Sequence, residues 1–301
     1  MSNKMSSVTH LLPSPSTGNS NPSSSLSTLW CYFLPALNHI FRSNSNSKHT
    51  PAVPITAEYY IGLHTQFHAY FRAQSGLGTG LNEVYENLDR YYAETAHQLL
   101  VGAPHDNRLI CYIVAEFKRY SAGAAAIGRL LNYINKHYVE PADEQGKGWF
   151  SFEDYVGEED YVSENCRTDR TMEFMMKRKL KKWGYEEGSS ASVLANAMAC
   201  AEAASTLDRV VPLSSLALRR FRTEFMEPLL QVPDIEDNCK KGNLSGTPQA
   251  GPLVCSVKEL LETKGVGEDE NQWLVGELAV TLKTLGIQWG HQLGNEHKAT
   301  H

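Results

Sequence analysis

The sequence predicts an all-α fold. Between residues 28 and 150, five consecutive segments place apolar residues three or four positions apart, the spacing that aligns them on one face of a helix. No two-residue alternation typical of a half-buried strand lies between these segments. With 301 residues, of which 42% are hydrophobic, the chain is long enough to bury a substantial core.

The first two predicted helices are rich in aromatic residues. The first lies in LWCYFLPALNHIF, with apolar positions at Trp30, Phe33, Leu34, Leu37, Ile40 and Phe41. Pro35 is expected to kink or restart it, because proline lacks the N–H that a helix interior uses. The second lies in TAEYYIGLHTQFHAYFRAQ, where Thr56 is a plausible N-cap. Its apolar stripe consists of Tyr60, Leu63, Phe67, Tyr70 and Phe71.

Three further helices are predicted in LNEVYENLDRYYAETAHQLL, RLICYIVAEFKRYSAG and LLNYINKHYV. In the last of these, the core face is expected to carry Ile127, Leu130, Leu131, Ile134 and Tyr138. That orientation turns Tyr133, Lys136 and His137 more outward.

Composition divides the chain into five parts. Residues 1–27 are rich in Ser, Pro, Asn and Thr and are predicted to form a disordered tail, since they cannot bury enough apolar area to offset their ordering entropy. Residues 28–150 form the first helical unit, and residues 151–212 form an insertion whose order the sequence does not determine. Helical periodicity returns across 213–290, interrupted by a loop at 232–253, and a polar tail at 291–301 ends the chain.

Net charge and cysteine spacing restrict the classes of function that the chain can have. A net charge of -6 and a pI near 6.0 argue against general nucleic-acid binding, which usually needs a basic surface. No apolar run approaches the roughly 18 residues of a membrane span. The six cysteines form no CxxC pair, so neither a zinc framework nor a disulfide scaffold is predicted. We therefore expect a cytoplasmic or nuclear protein.

Candidate catalytic motifs are incomplete. His64 and His68 in HTQFH have metal-like spacing, but Thr65 stands where a metalloprotease needs its Glu, and no third ligand cluster is apparent. KRKLKKW is consistent with a nuclear localisation signal or a phosphate-binding patch, although the solvated face of a charged helix is the favoured interpretation. The sequence thus predicts no metal, no cofactor and no enzymatic activity.

One segment carries a family resemblance. FKRYSAGAAAIGRLLNYINKHYVEPADEQGKG resembles the N-terminal repeat of cullins, the scaffolds of cullin–RING ubiquitin ligases. Phe117 and Tyr120 match that family's Trp/Phe-x-x-Tyr element, and YINKHYV matches its Tyr-Leu-Asn-Arg-His-Trp-Val. The resemblance covers about residues 28–150 and 213–288, and it is closest to the cullin-1-like branch. It implies a first cullin-like repeat and a partial second one, truncated before the cullin-homology domain.

The resemblance also implies a binding surface. In cullins, the second and fifth helices of the first repeat dock the adaptor of an SCF-type ligase together with its F-box substrate receptor. Carried across by position, the adaptor-binding residues are Tyr60, Ile61, Leu63, His64, Phe67, Asn135, Lys136 and His137. Core packing is an equally good interpretation for Leu63 and Phe67, because a helical stripe more often faces inward.

The implied function is a non-catalytic scaffold in ubiquitin-dependent protein degradation. No RING partner is expected, because the family's C-terminal half, which binds it, has no counterpart here. No nucleic acid and no membrane are expected as partners either. Two alternatives remain open at this point: an unrelated α-helical enzyme or lipid-binding bundle, and an inactive truncated cullin paralogue.

Overall fold

The computed structural model describes residues 25–43, 57–73, 77–151, 169–231, 251–262 and 268–288. All regular secondary structure in these ranges is helical, which confirms the predicted all-α class. The N-terminal part contains α1 (Leu26–Ser43), α2 (Ala57–Ala73), α3 (Leu77–Val101), α4 (Leu109–Leu130), α5 (Asn132–Ile134) and α6 (Glu140–Glu144). The C-terminal part contains α7 (Asp169–Leu180), α8 (Ala191–Ala204), α9 (Leu213–Phe221), α10 (Glu227–Leu230), α11 (Pro252–Glu262) and α12 (Glu268–Thr284).

Two of these helices are interrupted by π-helical turns. One turn, Asn135–Val139, joins α5 to α6, and the other, Arg222–Met226, joins α9 to α10. Each is followed by a proline at the second position of the next α segment, Pro141 and Pro228. Proline cannot donate to the carbonyl four residues earlier, and its ring collides with that carbonyl. Widening the preceding turn relieves this conflict, which explains why the π turns lie where they do.

The first helix packs across α4. Arg119 Nη1 donates to the carbonyl of Phe41 at 2.6 Å, and the Phe41 ring lies 5.0 Å from the ring of Tyr120. Gly123 allows this approach, because a Cβ there would lie only 3.2 Å from the Phe41 ring. The close packing of α1 on α4, and not a turn of the backbone, therefore requires glycine at position 123.

Helix α9 lies at the centre of the molecule. It packs against α3, α4 and α8, and the Phe221 ring lies 5.0 Å from that of Tyr120 in α4. Arg220 forms a bidentate ion pair with Asp89 of α3, in which Nε donates to Oδ1 at 2.7 Å and Nη2 donates to Oδ2. Both side chains are mostly shielded from solvent, so this pair fixes the orientation of α9 on α3.

The helices assigned to the partial second repeat therefore share a core with those of the first. Buried apolar side chains of α3, α4, α8, α9 and α12 belong to one hydrophobic cluster. Lys118 of α4 also contacts α12, through an ion pair of 2.6 Å with Glu277 and through the ring of Trp273. The division into two repeats remains a prediction, but α9 and α12 depend on α3 and α4 for much of their burial.

Two predicted boundaries need correction, and the insertion whose order the sequence left undetermined is partly helical. Helix α1 begins at Leu26, inside the predicted 1–27 tail, and α11 begins at Pro252, inside the predicted 232–253 loop. The 151–212 insertion contains two helices, α7 and α8. Apolar burial explains these differences, since Leu29, Leu253 and Ala201 all lie in the core. Residues 1–24, 152–168, 232–250 and 289–301 lie outside the described part of the chain.

Candidate partner-binding surface

Helix α2 has one buried and one solvent-facing side. Its buried residues follow helical spacing and comprise Tyr59, Leu63, Phe67, Tyr70 and Phe71. On the opposite side, Tyr60 is 41% exposed and Ile61 is 63% exposed, and His64 is also exposed. An isoleucine this exposed on a well-packed helix leaves apolar area in water, which marks the side as a candidate interface.

The helix containing the Asn135–Val139 turn supplies the other half of the surface. Lys136 and His137 are exposed on this turn, whereas Ile134 and Val139 are buried. The His137 ring packs on that of Tyr133, one turn earlier, with ring centroids 4.1 Å apart. The predicted outward orientation of Lys136 and His137 is confirmed.

Tyr133 joins the two halves. Its ring stacks on Phe71 of α2, with centroids 5.7 Å apart and planes 22° from parallel, and it meets the His68 ring edge-on at 4.7 Å. The two helices that the sequence assigns to one surface therefore do lie side by side. We define the α2–α5 surface as the exposed residues Tyr60, Ile61, His64, Lys136 and His137 together with the half-buried His68 and Tyr133.

Two histidines of this surface are in direct contact. His64 Nε2 and His68 Nε2 lie 3.1 Å apart, so one ring donates a hydrogen bond and the other accepts it. The pKa of His68 is lowered by burial and by the nearby His64, Arg72 and His137. The lowered pKa favours the neutral form of His68, which can either donate or accept in its contact with His64.

The histidine pair does not extend into a complete metal site. Among the residues that the structure describes, no group of three or more His, Cys, Asp and Glu side chains is arranged to hold a metal ion. Two imidazoles four residues apart supply only half of the ligands of a structural zinc site.

Three of the predicted surface residues have other roles. Leu63 and Phe67 are 0% and 2% exposed, so the prediction that they contact a partner is wrong in this conformation. Asn135 is half-buried, and its side-chain Oδ1 accepts a hydrogen bond of 3.0 Å from the backbone N–H of Leu213 in α9. Their positions follow from packing: α2 needs an inward apolar stripe, and the N-terminus of α9 needs an acceptor.

Two residues of the surface were not predicted as binding residues. His68 lies one turn after His64 on α2, and Tyr133 lies one turn before His137. Helical spacing alone places each of them beside a residue that was predicted to bind, His64 or His137. The π turn at 135–139 has a weaker sequence signal, namely the position of Pro141.

Comparison with known proteins identifies no relative: no protein-family model, no curated protein and no solved structure matches the chain. Within the described ranges, none of the helices has the length and apolar character that crossing a membrane requires.

Proposed function

We propose that the chain is a non-catalytic, cullin-like helical scaffold that binds an SCF-type substrate adaptor through the α2–α5 surface. The observation that carries this proposal is the contact of Tyr133 with both Phe71 and His68. Through it, the two segments that the resemblance assigns to adaptor binding form one continuous face. The further support is the order of the cullin-like sequence elements along the chain.

The chemistry of the surface suits a protein partner. Tyr60 and Ile61 supply exposed apolar area, and His64 and His137 supply hydrogen-bonding groups beside it. The buried rings of Phe67 and Phe71 support this face from below, with centroids 4.6 Å apart. Aromatic groups held on rigid helices lose little entropy on binding, which is the usual basis of an interface hot spot.

The charge of this surface indicates which side chains the partner should place against it. Lys136 of the surface and Arg72 of α2 are exposed cations. A complementary partner would place apolar side chains against Tyr60 and Ile61 and carboxylates against Lys136. Cullins often carry Arg where this chain has Lys136, and a lysine lacks the bidentate hydrogen bonding of a guanidinium. We therefore expect weaker adaptor binding than that of a full cullin.

Calorimetric titration of the full chain with a purified SCF-type adaptor tests the proposal. Ile61→Glu replaces the most exposed large apolar side chain of α2 by a charge and should weaken binding by about thirtyfold or more. Val280→Glu is the matched control, because Val280 is also β-branched, helical and 63% exposed, but it lies on α12. Both variants should keep the wild-type melting temperature, since neither side chain is buried.

Two results would overturn the proposal. One is a folded wild-type chain that shows no adaptor binding at high micromolar concentration. The other is equal loss of binding in Ile61→Glu and Val280→Glu, which would indicate a non-specific charge effect. Retained binding in Val280→Glu with loss in Ile61→Glu would place the adaptor on the α2–α5 surface.

A further inference from the structure

A cleft lies apart from the α2–α5 surface and shares no residue with it. It has a volume of about 420 Å³ and is formed where α7 ends, where α8 ends and where α12 ends. Its walls include Trp149, Lys179, Lys182, Trp183, Arg209 and Arg222. The volume falls within the range of about 300 to 1,000 Å³ that small-molecule sites occupy in proteins.

The cleft combines four cations in an acidic protein. The chain carries a net charge of -6, yet Lys179, Lys182, Arg209 and Arg222 converge on this cavity. Arg222 is already engaged: its Nη1 pairs with Glu227 at 2.8 Å, and its Nε donates to the carbonyl of Ala203 at 3.0 Å. Arg222 therefore forms part of the wall and contributes little charge to a ligand.

Lys179 and Lys182 are placed differently from Arg222. Their ammonium groups lie over aromatic rings, Lys179 Nζ at 5.6 Å from the centre of Phe150 and Lys182 Nζ at 5.3 Å from the centre of Trp183. In the described part of the chain, no ion pair includes Lys179 or Lys182. Both ammonium groups thus retain their capacity to bind an anion.

Trp183 separates this cleft from a neighbouring cavity. The second cavity has a volume of about 380 Å³, shares Lys182 and Trp183 with the first, and adds Lys181 and Lys283. Trp183 is half-buried and lines both cavities, and Lys182 Nζ lies over its ring. An indole in this position offers a stacking surface for a planar ring.

The floor of the cleft is fixed by Gly286. This residue has φ of 73°, and a Cβ there would lie 2.5 Å from Ala204 Cβ and 2.8 Å from the carbonyl of Cys200. Only glycine allows the chain after α12 to approach α8 so closely. The close approach holds the segment after α12 against the C-terminal end of α8, and Gly286 and Ala204 both line the cleft.

We propose that this cleft binds a nucleoside phosphate, with the phosphates at Lys179 and Lys182 and the base against Trp183. Each half of such a ligand matches a feature of the site. The anion meets two lysines for which the described ranges contain no carboxylate partner, and the planar ring meets a half-buried indole. A long nucleic acid fits less well, because the cations are confined to a cavity and the whole chain is acidic. The KRKLKKW motif acts in this role as a ligand-binding element.

Isothermal titration of the full chain with ADP tests the proposal, with pyrophosphate and adenosine titrated separately to resolve the two halves of the ligand. We expect ADP to bind more tightly than either fragment. The double variant Lys179→Ala/Lys182→Ala should weaken ADP binding about tenfold or more, because it removes both charge-assisted contacts. Both lysines are exposed, so this variant should fold normally.

The matched control is Lys177→Ala/Arg178→Ala, which removes two cations from α7, the helix that carries Lys179, but from neither cavity. Its ADP affinity should stay within about twofold of wild type. Trp183→Leu should weaken ADP binding while leaving pyrophosphate binding unchanged. If circular dichroism shows that Trp183→Leu is unfolded, the two double variants and the titrations with pyrophosphate and adenosine test the proposal without it.

The proposal is overturned by any of four results. These are no ADP binding at about 1 mM, equal losses in the two double variants, pyrophosphate binding as tight as ADP binding, and a single-stranded oligonucleotide binding more than about tenfold tighter than ADP. The last result would make the cleft part of a nucleic-acid surface instead.

Discussion

Asn135 Oδ1 accepts a hydrogen bond of 3.0 Å from the backbone N–H of Leu213, the first residue of α9. The residue before it, Pro212, provides no side-chain cap, so this N–H would otherwise lack a partner at a buried helix start. Asn135 thus caps a helix that begins 78 residues later in the chain. The contact links the π turn that carries Lys136 and His137 to the central helix of the fold.

Asn135→Ala should therefore lose stability. Removing the carboxamide leaves the N–H of the fully buried Leu213 unpaired, which should cost about 1 to 2 kcal/mol in the free energy of unfolding. Lys136→Ala, at the exposed neighbouring position, should change that free energy by less than about 0.5 kcal/mol. Urea unfolding measures both, and an Asn135→Ala variant as stable as Lys136→Ala would contradict the capping role.

Tyr85→Phe should lower the free energy of unfolding by more than the loss of one hydrogen bond would suggest. Tyr85 Oη donates to the carbonyl of Val211 and accepts from its N–H, both at 3.0 Å, and Val211 is fully buried. The variant leaves two buried backbone groups unpaired, so we expect a loss of about 1 to 3 kcal/mol in unfolding free energy. Tyr112→Phe is the comparison, since Tyr112 Oη makes one half-buried bond of 2.9 Å to the carbonyl of Leu99. Thermal or urea unfolding should give the smaller loss for Tyr112→Phe, and the reverse order would refute the argument.

Glu202 should make stability depend on pH. Its carboxyl is buried and accepts a hydrogen bond of 2.5 Å from Ser215 Oγ. Burial raises its pKa to about 7, with a further contribution from Asp143, while the Ser215 hydrogen bond lowers it. Between about pH 4.5 and pH 7 the folded chain retains a proton that the unfolded chain releases, so stability falls as the pH rises through this window.

Glu202→Gln removes this titration and keeps an oxygen that can accept from Ser215. At about pH 8 the variant should be more stable than wild type by about 1 to 3 kcal/mol, and at about pH 4.5 the two should be nearly equal. Melting temperatures across this pH range measure the effect. A Glu202→Gln advantage that is the same at both pH values would exclude the carboxyl as its source.

Alanine substitutions at Leu63 and Ile61 should distinguish the buried face of α2 from its exposed face. Leu63→Ala removes a fully buried side chain and should cost about 2 to 5 kcal/mol in unfolding free energy. Ile61→Ala, at a position that is 63% exposed, should cost less than about 1 kcal/mol. Denaturant unfolding of the two variants tests the orientation of the helix independently of any partner. Similar losses would mean that Ile61 is packed and that the α2–α5 surface is wrongly assigned.

Local sequence periodicity determined the fold class and most of the core. The backbone geometry of a helix repeats every 3.6 residues, so the stripes containing Leu63, Phe67, Ile127 and Ile134 could be identified without knowing what they pack against. The same geometry predicted that Lys136 and His137 face outward. It could not rank neighbours on the edge of a stripe: Tyr60 was placed with the stripe, but Tyr59 is the buried tyrosine.

Only the tertiary structure decided which distant residues meet. The cap that Asn135 gives to α9, the contact of Tyr85 with Val211, and the convergence of Trp149, Lys182 and Arg209 on one cleft all join residues far apart in the sequence. Such contacts depend on how whole helices pack, and packing is set by the shapes of many side chains at once. The chain by itself specified where most of its helices form and most of the residues that they bury. The packing of the helices around α9 decided which polar and charged side chains lie close together.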